Sequence, residues 1–200
     1  NGLKVIGTKT SEIPKVYMYL NIEGGHLIET DKKIKVGTAY LTAQMMEEGT
    51  AKLSSEEYSD ALDKLGSSIS VSSGNYNTTI FVESLKENLD QTLDILQQVL
   101  MTPRFDEKDF QRVKKQNLEG VQNQKSNPNQ TANKVFNKIF YQGTVMADYY
   151  TGDYKSLSKI SLAECKAFHE KYYSPSYTTL SIAGDIDKDE LLSKIDFLKS

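Results

Sequence analysis

The sequence predicts an α+β domain in which helices pack on one face of a mostly antiparallel sheet. Apolar and polar residues alternate near the start, in the middle and near the end of the chain, as in half-buried strands. Between these segments apolar residues recur at every third or fourth position, as in amphipathic helices. Strands, helices, a hairpin, further helices and a last strand follow one another in an order typical of the α+β class.

The first two strands are predicted from a period of two. Leu3 and Val5 begin the pattern, and residues 16–22 carry apolar side chains at every second position. Pro14 lies in the connection between them. Gly24 follows the second strand and ends it, because glycine tolerates backbone angles that other residues avoid. We interpret the two segments as a strand pair that is buried on one face.

Two helices are predicted next. Residues 34–48 carry apolar side chains at intervals of three and four, and Gly49 ends this helix. The second helix begins with Ser54 and Glu57, which form a capping box, and it stops at Gly66. A capping box satisfies backbone N–H groups that have no partner inside the helix, so it fixes where the helix starts.

A hairpin follows the second helix. Residues 68–73 and 77–84 both alternate, and the Gly74-Asn75 pair between them suits a tight turn. The residues expected to face one another across the hairpin are Ile69, Val71, Ile80 and Val82.

The rest of the chain is predicted to be mainly helical. Helices are expected at residues 89–100, 106–125, 133–141 and 161–172, and after Asp187. Pro103 and Pro128 separate the first three of them. Residues 178–183 form a final strand, and residues 141–154 form a loop rich in tyrosine. That loop suits either contact with a partner domain or packing over the helices, and both interpretations stay open.

The composition allows one domain with a proper core. Of the 200 residues, 38% are hydrophobic and 26% are charged. The net charge is −3 and the lysines are scattered among acids, so neither a nucleic acid nor a membrane is expected as a partner. No run approaches the ~20 apolar residues of a membrane span. Cys165 is the only cysteine, which excludes an internal disulfide and is most simply a buried thiol.

The ends of the sequence suggest a piece of something longer. The chain begins with Asn1 and stops inside an amphipathic segment, residues 190–198. We therefore expect residues 1–200 to form a single domain of a longer two-domain or four-domain polypeptide.

Several short segments, in this order, resemble the first domain of an insulinase- or pitrilysin-type half. These are the zinc peptidases with an inverted His-x-x-Glu-His motif. The segments are residues 1–5, 37–45, 49–50, 63–66, 103–105, 127–128, 168–175 and 182–186. The resemblance covers nearly the whole chain and implies an α+β peptidase domain.

Residues 37–45 fall where family members carry Gly-x-Ala-His-x-x-Glu-His-Met. In an active member the two histidines lie four residues apart on one helical face and bind one zinc ion. The glutamate between them acts as general base, and a glutamate from a distant helix completes the ligand set. This sequence carries Tyr40 and Gln44 at the histidine positions and Ala43 at the general base.

The distant glutamate position falls at Gly120 by its spacing from Gln44, with Glu119 next to it. A phenol is a poor zinc ligand, a carboxamide is weak, and alanine and glycine offer no side-chain donor. If the register were wrong by one residue, Glu119 could point into the site, but one carboxylate would hold zinc weakly. We therefore expect no catalytic residue, no metal and no other cofactor in this domain. Instead Tyr40, Ala43 and Gln44 are expected to fill the former cavity, with Gln44 hydrogen-bonded to nearby backbone.

The resemblance implies a non-catalytic half of an insulinase-like zinc peptidase. Such a half encloses a chamber with a zinc-bearing half and helps to retain the peptide. The implied partners are a homologous zinc-bearing peptidase domain, in the same or another chain, and a peptide substrate. An exposed edge strand could hold an extended peptide by main-chain hydrogen bonds.

Two alternatives stay open. One is a structural or assembly subunit with no role in proteolysis. The other is a self-sufficient enzyme that uses a different site. The only two histidines, His26 in a predicted loop and His169 in a predicted helix, lie far apart in sequence and are poor candidates for metal ligands or catalytic bases.

Overall fold

The computed structural model describes residues 2–31, 33–124 and 126–199. Asn1, in the first of the resembling segments, and Lys125, the predicted end of a helix, lie outside the described residues. The strands are β1 (Lys4–Lys9), β2 (Lys15–Glu23), β3 (Ser68–Ser73), β4 (Asn77–Leu85) and β5 (Thr178–Gly184). The helices are α1 (Thr38–Met46), α2 (Ser55–Leu65), α3 (Leu89–Met101), α4 (Glu107–Gln124), α5 (Pro128–Phe140), α6 (Tyr154–Leu157), α7 (Leu162–Tyr172) and α8 (Lys188–Lys194). Short 3-10 turns include Gly25–Thr30 and Val145–Ala147.

The strands form one five-stranded sheet in the order β1-β5-β2-β4-β3. Only the β1–β5 pair is parallel, and the other neighbours are antiparallel. The predicted α+β class with a mostly antiparallel sheet is therefore confirmed. The interpretation of the first two strands as a neighbouring pair is wrong, because β5 lies between β1 and β2. Periodicity tells which face a strand buries, but it does not tell which strand lies beside it.

One face of the sheet is covered by helices. Cross-strand partners on this face form an apolar row that crosses the whole sheet. The row consists of Val5, Leu180, Leu20, Ile80 and Val71. These strand residues share one core with residues of α1, α3, α4 and α7. On the opposite face Tyr19 is 46% exposed, so the sheet is open on that side.

The predicted hairpin and the predicted capping boxes are confirmed. In the β3–β4 hairpin, Ile69 faces Val82 and Val71 faces Ile80. At the start of α2, the Ser54 backbone N–H donates to the Glu57 carboxylate at 2.8 Å, while the Glu57 N–H donates to the Ser54 hydroxyl. A second capping box begins α7. These features depend on residues close in sequence, which is why the sequence predicts them.

Two helices begin several residues away from the predicted start, and α1 also ends at Met46 rather than at residue 48. α1 begins at Thr38 rather than at residue 34, because Gly37 has a φ of +95° that no helix contains. α5 begins at Pro128 rather than at residue 133. Proline is favoured in the first helical turn because its missing N–H would have no partner there, and the Asn127 side chain caps the same end.

None of the helices in the described part of the chain combines the length and the apolar content that a bilayer crossing requires.

Candidate functional site

Tyr40 and Gln44 lie on α1, where the resemblance predicts a degenerate zinc motif, and both belong to one hydrogen-bonded chain. The Gln44 amide donates from Nε2 to the Tyr40 hydroxyl at 3.0 Å. Asn117 of α4 donates from Nδ2 to Gln44 Oε1 at 2.6 Å and to the Val113 carbonyl at 2.8 Å. Ala43 is buried in the core. Gln44 was expected to bond to backbone, whereas its partners are the side chains of Tyr40 and Asn117.

The residue of α4 that meets the motif is Asn117, which the sequence analysis did not single out. Gly120 lies about one turn further along the same helix face and is exposed, and a side chain added there would meet no atom within 4 Å. The Glu119 carboxylate is 60% exposed and lies 3.9 Å from the Lys115 ammonium on the outer side of the helix. Glu119 therefore points away from Gln44. The i, i+3 spacing of residues 117 and 120 is the one sequence signal that could have found Asn117.

Carboxylates near the motif are held by other partners. An open pocket of about 210 Å³ lies beside Gln44 and is also lined by Glu47, Glu48, Val113, Gln116 and Asn117. Glu48 forms an ion pair with Arg112 and accepts a hydrogen bond from the Ser55 hydroxyl. Glu47 accepts the backbone N–H of Val71 at 2.8 Å. Burial raises the pKa of the Glu47 carboxyl, and the neighbouring Glu48 charge acts in the same direction.

The donor set does not fit a zinc ion. Burial raises the pKa of the Tyr40 phenol, and Tyr150 and Glu47 raise it further, so the hydroxyl stays neutral and is a poor ligand. The remaining side chains of the hydrogen-bonded chain are carboxamides. Across residues 2–31, 33–124 and 126–199, no three His, Cys, Asp or Glu side chains are grouped so that they could hold a metal.

A loop aromatic packs on the motif. The Tyr150 ring meets the Tyr40 ring edge-on at 5.8 Å, and Tyr149 stacks on Tyr150 at 5.4 Å. Within the tyrosine-rich loop, Tyr141, Tyr149 and Tyr154 remain exposed. One member of the cluster thus packs against the domain, while the others face outward.

A buried ion pair fixes this loop to the start of α1. His26 Nδ1 lies 2.6 Å from the Glu29 carboxylate, and both side chains are fully buried. His26 Nε2 lies 2.9 Å from the Val145 carbonyl and 3.2 Å from the Asp148 carbonyl. The Glu29 carboxylate and the two carbonyl oxygens are acceptors, so these contacts favour the imidazolium form, in which both ring nitrogens carry a proton.

Glu29 completes the connection to α1. Its carboxylate accepts the backbone N–H groups of Gly37 and Ala39 at about 3 Å, at the positive end of the helix. Burial alone would lower the pKa of His26, but the Glu29 carboxylate and the two carbonyl groups outweigh it and hold the pKa above its usual value. This structural role of His26, which was predicted to lie in a loop, is not visible in the sequence.

His169 is a different kind of histidine. It lies on α7, and its ring meets Phe105 at 5.6 Å. Burial lowers the pKa of His169 below its usual value. The structure therefore places the two histidines in opposite electrostatic environments and does not bring them together.

We expect the Gln44–Asn117 contact to be worth a modest amount of stability. Gln44→Ala and Asn117→Ala should each lower the free energy of unfolding by about 1 kcal/mol, because each leaves a half-buried amide without its partner. The double variant should lose less than the sum of the two. Urea unfolding of the three variants measures this, and strict additivity would show that the contact does not form.

Two family models match the chain. The model described as insulinase, peptidase family M16, matches residues 4–151, and the model described as the peptidase M16 inactive domain matches residues 159–198. The two matched regions follow one another along the chain and do not overlap.

Relatives and solved structures agree with these models. The chain is 26% identical to the non-peptidase homolog YmxG of Helicobacter pylori, over 96% of this chain and 44% of that protein. It is 23% identical to an uncharacterized zinc protease of Rickettsia felis, over 100% of this chain and 48% of that protein. A solved peptidase M16 inactive domain from Pseudomonas fluorescens superposes with a TM-score of 0.93 at 26% identity, over 99% of this chain and 48% of that one.

The chain spans about half the length of the curated relatives named here. The family model covers most of its residues, and the solved inactive domain has the same fold. The chain belongs to the insulinase family of peptidases, peptidase family M16.

Proposed function

We propose that residues 1–200 are one domain of a longer polypeptide and form the inactive side of an insulinase-type peptidase. In this proposal the domain encloses a chamber with a homologous zinc-bearing domain, in the same or another chain, and helps to retain the peptide substrate. The observation that supports it most is the Tyr40–Gln44–Asn117 hydrogen-bonded chain. The resemblance assigns Tyr40 and Gln44 to the zinc-ligand positions of an active member, and a neutral phenol and a carboxamide are poor ligands for zinc.

The proposal assigns no catalytic residue and no cofactor to this domain. Tyr40, Ala43, Gln44 and Gly120 fill or border the former site, and zinc belongs to the partner domain. A relative named as a zinc protease supports the expectation that zinc occurs elsewhere in the family.

The experiment is to combine the full-length protein with the zinc-bearing insulinase-type protein of the same organism. Cleavage of an unstructured fluorogenic peptide is measured for each protein alone and for the mixture. If the zinc-bearing domain is in another chain, cleavage should require both proteins, since residues 1–200 lack the metal ligands and the other protein lacks half of the chamber. If it is in the same chain, the full-length protein should cleave the peptide alone. Full activity of the zinc-bearing protein alone would overturn the assisting role.

A second candidate is a structural or assembly subunit with no role in proteolysis, and the edge strand β3 favours it. Glu47 occupies the outward N–H of Val71, and the Tyr58 hydroxyl lies 3.4 Å from the Ile69 carbonyl. These side chains compete with an extended peptide for the same backbone groups. At the other edge of the sheet, β1 has β5 as its neighbour among the described strands, and no side chain is named here that competes for its outer backbone groups.

A relative named for a multi-subunit complex fits this second candidate. The cytochrome b-c1 complex subunit 1 of Caenorhabditis elegans is 22% identical over 92% of this chain. In the mixing experiment, a stable complex that leaves the rate of peptide cleavage unchanged would favour assembly over the assisting role.

A further inference from the structure

Residues 127–151 form an outlying part of the domain, which we call the flap. It contains α5, the Val145–Ala147 turn and most of the tyrosine-rich loop. Every residue of the flap is exposed or half-buried, whereas α3, which has the same length as α5, buries six of its 13 residues. Segments with few buried contacts open at a lower free energy than the core around them. The position of the flap therefore depends on a small number of specific contacts.

Polar and aromatic contacts join the flap to the rest of the domain. Near its start, the Lys134 ammonium donates to the Gln124 side chain at 2.8 Å. Near its end, the Tyr150 ring meets the Tyr40 ring of α1 at 5.8 Å. An open pocket of about 300 Å³ borders the flap, and its lining includes Asp148, Tyr149, Lys35 and Val36. Packing between the flap and the rest of the domain is therefore incomplete.

His26 supplies a buried contact with the flap. Its Nε2 atom faces the carbonyl groups of Val145 and Asp148 at 2.9 and 3.2 Å. Its Nδ1 atom lies 2.6 Å from the Glu29 carboxylate. The imidazolium form donates to both sides, whereas a neutral ring has only one N–H group. The charged carboxylate is the stronger acceptor, so the remaining proton stays on Nδ1. Nε2 then turns a lone pair toward two carbonyl oxygens, and the contact with the flap is lost.

Glu29 is the charged side chain that contacts the His26 ring. The turn that carries His26 packs against α1, β4 and the turn of the flap. Helix α1 contains no charged residue, and the one in β4, Glu83, is paired with Lys15. On the flap, Asp148 offers its carbonyl group to the ring and also lines the open pocket. Of these groups only an imidazole ordinarily titrates near neutral pH.

We propose that the flap is a pH-controlled lid over Tyr40, latched by the protonated His26 ring and released when the ring loses its proton. Release separates the Tyr150 ring from the Tyr40 ring. The hydrogen-bonded chain that occupies the former motif then becomes accessible from that side. The lid needs no zinc-bearing partner, so it is separate from the proposed function.

The direction of the pH effect follows from the two states of the flap. With the flap open, His26 has an ordinary pKa of about 6.5. With the flap closed, the Glu29 carboxylate and the two carbonyl groups hold the pKa of His26 above that value, against the effect of burial. Protonation therefore favours the closed flap fully below about 6.5, and this contribution is lost as the pH rises through the closed-state pKa.

The test is hydrogen–deuterium exchange of the full-length protein at pH 6 and pH 8.5, measured by mass spectrometry. The amides of α5 report release, because a free helix of 13 residues is only marginally stable in water. Their protection is divided by that of the α3 amides in the same molecule, which removes the general effect of pH on exchange. We expect this ratio to fall by ~10-fold between the two pH values, since each unit by which the contact raises the pKa is a factor of ten.

Two variants separate the two histidines of the chain. Glutamine does not titrate, so in His26→Gln the ratio should be the same at both pH values. His169→Gln is the matched control, because His169 lies on α7 against Phe105 and does not contact the latch. It should keep the full fall of the ratio, and circular dichroism shows that each variant folds.

The outcomes are distinct. A fall in the unmodified protein and in His169→Gln that is absent from His26→Gln supports the lid. An equal ratio at both pH values in the unmodified protein would overturn it, whether or not the variants fold. A fall that persists in His26→Gln would also overturn it, because a group other than His26 would then control the flap.

Discussion

His26→Ala is expected to lower the free energy of unfolding by ~3–5 kcal/mol, the usual cost of removing one partner of a buried ion pair. The Glu29 carboxylate would stay buried with its charge no longer matched, and the Val145 and Asp148 carbonyl groups would lose their donor. Loop residues 145–148 and the start of α1 would no longer be joined through the His26–Glu29 pair. Urea unfolding at pH 6 followed by circular dichroism measures the change.

An exposed ion pair provides the matched control. The Lys9 ammonium and the Asp187 carboxylate lie 2.8 Å apart, with the two side chains 49% and 70% exposed. Lys9→Ala should leave the free energy of unfolding nearly unchanged, because water and salt screen an exposed pair. If His26→Ala costs as little as Lys9→Ala, the buried imidazolium ion is not the link that joins the loop to α1.

The two histidines should give stability a pH dependence of opposite sign. His26 has a pKa above that of the unfolded chain, about 6.5, so its contribution is complete below that value and is lost as the pH rises through the folded-state pKa. His169 has a lowered pKa, so its contribution is complete above about 6.5 and is lost as the pH falls.

The His26→Gln variant separates the two effects. It removes the loss of stability that His26 causes as the pH rises and keeps the loss that His169 causes as the pH falls. The free energy of unfolding measured from pH 5 to pH 9 should therefore rise with pH in the variant over the range where His169 titrates. A curve that still falls between neutral and alkaline pH would assign that fall to a group other than His26.

Restoring the family's donor residues should create a zinc site, which is the second large effect. The variant carries Tyr40→His, Ala43→Glu, Gln44→His and Gly120→Glu. The two imidazoles would lie at i and i+4 on α1, and the open space around Gly120 can accept a longer side chain. We expect one zinc ion per chain with submicromolar affinity, against no specific binding before the exchange, as measured by isothermal titration calorimetry.

A variant that keeps Gly120 tests the role of the distant ligand. With Glu119 on the outer side of α4, that three-residue variant should bind zinc at least ~10-fold more weakly, because it lacks one of three protein ligands. Equal affinity of the two variants would show that position 120 does not belong to the site.

Features that depend on neighbouring residues could be predicted from the sequence. The capping boxes at Ser54 and Ser161 and the existence of the β3–β4 hairpin follow from residues a few positions apart, whereas the pairing of Ile69 with Val82 comes from the structure. The position of β5 between β1 and β2 depends on contacts across almost the whole chain, which periodicity does not contain.

The candidate site also combines one feature that the sequence predicts with contacts that it does not predict. The spacing within α1 predicts that Tyr40 and Gln44 lie on one helical face, and they are hydrogen-bonded to each other. Asn117 approaches Gln44 from a separate helix, and His26 meets carbonyl groups more than 100 residues away. Such pairings depend on how helices and loops pack, so no local pattern in the sequence indicates them.

Zinc titration of the unaltered protein tests the central claim most directly, because the proposed role depends on a domain that holds no metal of its own. The protein is purified without chelators, its zinc content is measured by atomic emission, and zinc is then titrated beside the variant with restored ligands. We predict less than a tenth of an equivalent of zinc and no saturable binding at micromolar concentrations. One tightly held zinc ion per chain, lost in Gln44→Ala or Asn117→Ala, would contradict the account.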